Sequence, residues 1–147
     1  MHVLRGSITA IIFHVVYSRI VSEMGDIEVL ATGEVEPVET SPGVFRQQVF
    51  ETEDTSVVRS RVAGGVTTGW HHNGDRHVYG YVVQGSAVLE HGPGGHDAVE
   101  LDAGSFVHVP PRTIRRVVNP TDDDWVIVIS FVGSGPVAVN VDGAEAE

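Results

Sequence analysis

The chain contains no cysteine among its 147 residues. That absence excludes disulfide frameworks, thiolate zinc sites, iron–sulfur clusters and thiol nucleophiles together. Lysine is missing too: all nine basic residues are arginine, set against twenty acidic residues, for a formal net charge of −11. A surface of that sign repels phosphate backbones and anionic lipid, and no local basic cluster offsets it. Neither a nucleic acid nor a membrane is an expected partner. Long hydrophobic runs are also lacking, since the apolar stretch at 8–16 is too short to span a bilayer. The nucleophile elbow G-x-S-x-G, the P-loop, the dinucleotide fingerprint G-x-G-x-x-G and the zinc motif H-E-x-x-H are all absent. The glycine-rich run Gly92-Pro93-Gly94-Gly95 lacks a phosphate-cradling context and reads as a hairpin loop.

What the chain does have is one domain's length and, at 41% hydrophobic residues, enough apolar side chains for a core. Dense carboxylate without lysine resembles proteins of high-salt cytoplasm, where ionic strength screens the repulsion. An ordinary acidic protein from a GC-rich genome has the same composition. A cytoplasmic location is the expectation under either reading.

Residues 1–23 differ from the remainder. Arg5 and the apolar run at 8–16 outline a secretion signal, but His14 and Arg19 interrupt it and no A-x-A cleavage pattern follows. An extra strand or helix covering part of the core is a second reading, and upstream sequence before a true start at Met24 is a third, which we prefer. Residues 24–147 are expected to form a single domain.

From Ile27 onward, short β-type runs alternate with Gly, Pro, Asn and Asp turns at a spacing of about 8–12 residues. Strands are expected at 44–50, 55–63, 66–72, 78–84, 86–91, 98–101, 105–109, 113–118, 125–132 and 137–141. Valine dominates them, and its β-branched side chain suits a pleated, half-buried surface. Nothing after Met24 keeps a helical period. The expectation is an all-β sandwich or closed barrel.

The segment from Gly65 to Gly85 carries the chemistry. His71, His72 and His77 fall within seven residues, with Asn73 beside them, across a strand, a turn and the next strand. Imidazole is the commonest metal ligand. Residues i and i+2 of a strand share a face, so His71 and Asn73 point together and His72 points away. The plainer alternative is that these histidines hydrogen-bond within a β-rich core. Tyr79 and Tyr81 share a face of the following strand, where they either meet a ligand or pack. Trp70 and Trp125 read as core or interface residues.

These residues resemble the cupin family, whose first motif runs G-x5-H-x-H, three or four residues, Glu, six residues, Gly. Gly65, His71 and Gly85 match it, with Asn73 in place of the second His. The second motif, G-x5-P-x-G-x2-H-x3-N, falls on Gly104, Pro110, Arg112, Arg115 and Asn119. The resemblance covers about residues 44–135 and implies a double-stranded β-helix, a small jelly-roll barrel with a pocket at one end. It also implies a metal site at the two motif-one His, the Glu and the motif-two His. Here those positions read His71, Asn73, His77 or Val78, and Arg115.

Six residues before Gly85 stands Val78, and a slip of one gives the polar His77, which is the preferred choice. Asn73 is a weak ligand, and Arg115 has no lone pair to donate. The expected pocket is therefore lined by His71, Asn73, His77, Tyr79, Tyr81 and Arg115, and takes a small anionic metabolite through Arg115. The alternative is a metal-dependent oxygenase or isomerase using Fe, Mn, Ni or Zn on His71 and His77, with His72 or His108 completing the shell. A homodimer is expected in either case.

Overall fold

The valine-rich alternation at 55–63 becomes a strand in which Ser56, Val58, Ser60 and Val62 are buried and the residues between them are not. The same two-residue period recurs along the chain and sorts each strand into an inner and an outer face. The computed structural model describes residues 25–145. Expectations about residues 1–23 lie outside the described residues.

Eleven strands are described: β1 (Val38–Ser41), β2 (Val44–Glu51), β3 (Thr55–Val62), β4 (His71–His72), β5 (His77–Gln84), β6 (Ser86–His91), β7 (Asp97–Asp102), β8 (Phe106–Val109), β9 (Arg115–Val118), β10 (Trp125–Val132) and β11 (Val139–Asn140). They form two sheets, ordered β1-β2-β3-β10-β5-β8 and β11-β4-β9-β6-β7. Every pairing is antiparallel. The expected double-stranded β-helix is the fold. Each expected strand has a counterpart, but that at 66–72 shrinks to β4 and one bridge, Thr67 to Val118. β1 was not expected, and all four of its residues are exposed. No helix among the described residues is long and apolar enough to cross a membrane.

The core lies between the sheets in two clusters, one around Val62, Val82, Leu101, Trp125 and Ile127, the other around Val58, Val78, Val109 and Phe131. Gly80 faces this interior, and a Cβ there would come within 2.8 Å of Ile127 Cδ1, so the strand can lie close to β10 only without a side chain. Gly85 holds φ +84° in the turn to β6, where a Cβ would collide with the Asp124 carbonyl. A glycine is required there on both counts.

Two polar links join the sheets. Trp125 Nε1 donates to Leu101 O at 2.9 Å. Asn119, 1% exposed, ends β9 and donates through Nδ2 to the carbonyls of Val62, Ala63 and Asp123 at 2.9–3.2 Å. Its Oδ1 accepts from the backbone N–H and hydroxyl of Thr121. The end of one sheet is thereby fastened to the other. Replacing Asn119 with Ala removes a buried amide that serves three carbonyls and accepts from Thr121, so thermal unfolding should show a loss on the order of 3 kcal/mol. That corresponds to a Tm lower by about 6–12 °C in a domain of this length. A drop below about 2 °C would mean that the clamp contributes little.

Candidate functional site

Between the sheets runs a cavity of about 460 Å³. Its wall is mostly Val, Leu, Ile, Phe and Trp, and its polar lining includes Arg46, His71, Asn73 and Arg115. The strands place these four. His71 on β4 sits directly opposite Arg115 on β9, so the two side chains share a face. Arg115 and Val117 are buried inward, while Arg116 turns outward to Glu90 at 2.8 Å and over the Trp70 ring. Arg46 comes from the opposite sheet, two residues after the buried Val44, with its guanidinium 5.5 Å from the Phe131 ring centroid.

Burial of charge dominates the electrostatics. Arg115 is 6% exposed, and among the described residues it has no carboxylate partner; its one hydrogen bond runs from a terminal nitrogen to Thr113 O at 3.3 Å. Its Nε has no acceptor, and neither has that of Arg46. Desolvation, with the Arg46 charge as a second cause, lowers the pKa of Arg115 to about 10, which leaves it protonated at neutral pH. Desolvation lowers that of Arg46 as well. His71 is pushed down to about 4, first by burial and then by the Arg115 charge. Its Nδ1 lies 2.9 Å from Gly69 O, which calls for a proton on Nδ1 and leaves Nε2 with a free lone pair when the ring is neutral.

Of the residues expected in the pocket, His71, Asn73 and Arg115 line the cavity. His77, Tyr79 and Tyr81 do not. Along β5 the inward residues are Val78, Gly80 and Val82, so the alternating residues project from the outer face of the barrel. The preference for His77 over Val78 is thus corrected: Val78 lines the cavity. His77 instead meets His108 of β8 outside, Nδ1 to Nε2 at 3.0 Å, with the rings 11° from coplanar and Tyr79 lying 4.9 Å from His108. His72 faces away from the cavity and accepts the Gly74 N–H on Nδ1 at 2.9 Å. Neither His72 nor His108 can complete a shell with His71. Arg46 was missed, although alternation from Val44 would have pointed it inward.

The motif-two loop departs from its pattern visibly. Arg112 stands at the family's glycine position and adopts φ +60°, a left-handed conformation that costs a side chain about 1 kcal/mol. Its N–H donates to Gly74 O, and its guanidinium pairs with Asp75 at 2.9 Å, tying this loop to the β4–β5 turn.

A cupin domain model matches residues 58–132, just over half of the chain. The chain belongs to the cupin family. Solved structures agree on the fold. An uncharacterized conserved protein with a double-stranded β-helix domain from Klebsiella pneumoniae shares 19% identity at a TM-score of 0.66, over 80% of this chain and 99% of its own. KdgF from Halomonas sp. shares 24% at 0.63, over 74% and 96%. The polyketide cyclase RemF from Streptomyces resistomycificus shares 15% at 0.69, over 82% and 89%. No curated protein matches the chain.

Because the His71 pKa is 6.5 unfolded and about 4 folded, the unfolded chain binds more protons in between. Stability from this group is complete above pH 6.5 and falls as pH drops toward 4, by on the order of 2 kcal/mol. Denaturant unfolding at pH 7 and pH 4.5 should show His71→Gln losing less than the wild type. Equal losses would mean that the imidazole is not desolvated.

Proposed function

We propose that this cupin binds a small anionic metabolite in the barrel cavity, with Arg115 as its anchor. One observation carries the reading: a protonated guanidinium, 6% exposed, in an apolar cavity with no carboxylate partner among the described residues. A buried unpaired charge is costly, and the deficit is removed by an anionic ligand that accepts charge-assisted hydrogen bonds.

The metal-dependent alternative loses support from the same geometry. A divalent transition metal usually takes three or four N, O or S ligands. The family's ligand positions here present one imidazole, one amide, the aliphatic Val78 and a cation. Among the described residues no three His, Asp or Glu side chains are grouped to hold a metal. That donor set does not fit the ion. The expected role is therefore binding, and no reaction is proposed.

Calorimetric titration with inorganic phosphate and with monocarboxylates of two to six carbons tests the anchor. At least one should bind the wild type, and Arg115→Met should weaken it by about tenfold or more. His77→Ala, altered on the outer face, should bind like the wild type. Binding indifferent to Arg115→Met, or none at all, would overturn the reading.

We also infer a homodimer through the outer face of the β5–β8 sheet, where Tyr79, Tyr81, Val83, Phe106 and Val128 are exposed side by side. Apolar patches of this kind mark association surfaces. Sedimentation should show a dimer that Phe106→Glu dissociates; a monomeric wild type refutes it.

A further inference from the structure

The cavity contains unmatched polar atoms of both kinds. Asn73 is 3% exposed, and its Nδ2 donates to Val137 O at 2.6 Å. That bond fixes the amide, because a flip would set two carbonyl oxygens against each other. Its Oδ1 is then an acceptor with no donor, buried in a residue that lines the cavity. Arg46 Nε and Arg115 Nε are donors with no acceptor, in residues lining the same cavity. Buried polar groups in native proteins are overwhelmingly satisfied, by ordered water where nothing else serves. The rest of the wall is mostly aliphatic and aromatic, with Thr40, Ser41, Ser60, Thr68, His71 and Asn140 as its other polar side chains.

The unmatched set is therefore two cationic donors and two neutral acceptors, Asn73 Oδ1 and the free lone pair of His71 Nε2. The two guanidiniums reach the cavity from different sheets, Arg46 from β2 and Arg115 from β9. A single negative charge at Arg115 leaves the Arg46 charge uncompensated. Two anionic groups on one molecule satisfy both, and a hydroxyl beside them satisfies the amide oxygen.

We propose that the ligand is a hydroxydicarboxylate, with one carboxylate on Arg115, the other on Arg46, and a hydroxyl donating to Asn73 Oδ1. This rests on the anion-binding reading above and adds to it the second charge and the donor. Arg46 becomes the residue that selects dianions over monoanions.

The test is calorimetric titration of the full chain with malate, 2-hydroxyglutarate and 2-hydroxyadipate. The tightest of these is then compared with its dicarboxylate lacking the hydroxyl, and with the hydroxymonocarboxylate of equal chain length. Removing either the second carboxylate or the hydroxyl should weaken binding by about tenfold. Arg46→Met should weaken the dianion to within twofold of the monoanion. The ligand-side comparisons use wild-type protein and do not depend on the variant folding.

Monoanion and dianion binding equally to the wild type would overturn the proposal, as would Arg46→Met weakening both alike. Tighter binding of glycerol 3-phosphate than of all three hydroxydicarboxylates would overturn it in favour of one doubly charged group. Failure of all three to bind would do so too. In each case the broader reading is judged separately, by whether phosphate or simple monocarboxylates bind in an Arg115-dependent way.

Discussion

The register of β10 against its two neighbours decides what this barrel contains. All eight residues of β10 pair with β3, and seven of them pair with β5. Once Ile127 and Phe131 face inward, Val58 and Val62 on one side and Val78 and Val82 on the other must face inward with them. Side chains alternate with a period of two, so a slip of one residue would exchange the whole set. The slipped arrangement would bring His77, Tyr79 and Tyr81 into the cavity and put Val78 and Val82 into water. Burying a valine contributes about 1.5–3 kcal/mol, and the inward set has several, so the slip is strongly disfavoured. The histidine-rich strand therefore gives its imidazole to the outside.

Within that frame the two guanidiniums are an exception to the rule that governs the rest. Apolar side chains of similar volume at 46 and 115 would fill the cavity and relieve two desolvation penalties, a change that is often neutral or stabilising. Residues that break a local rule without a visible compensating partner are expected where a protein binds something. The same burial keeps the His71 ring neutral at physiological pH, because a third positive charge in that space is unfavourable. On the anion-binding reading proposed above, binding capacity and stability are in opposition at this one place.

Much of the fold was legible because its signals are local. Alternating valines and punctuating turns marked ten strands, and Gly65, Gly85, Gly104, Pro110 and Asn119 gave the family pattern. β1 escaped because a short edge strand with no buried face has no alternation to show. At the site, His71, Asn73 and Arg115 could be placed by spacing, whereas Arg46 lies outside both motifs and is brought to them only by closure of the two sheets. His77 was misplaced because polarity was preferred over register. Three histidines close in sequence read as one cluster, but the turn and strand that separate them send them to three environments.

The two faces of β5 have a consequence in thermodynamic linkage. Val78 borders the cavity, while Tyr79 and Tyr81 stand outside on the same strand, and Gly80 leaves only backbone between the outer surface and Ile127. Whatever grips the outer face thus acts on a strand that also forms the wall of the cavity. If such a contact changes affinity inside by some factor, a molecule inside changes the affinity of the outer contact by the same factor. If the proposed dimer and the proposed ligand both form, this one strand makes assembly and occupancy report on each other.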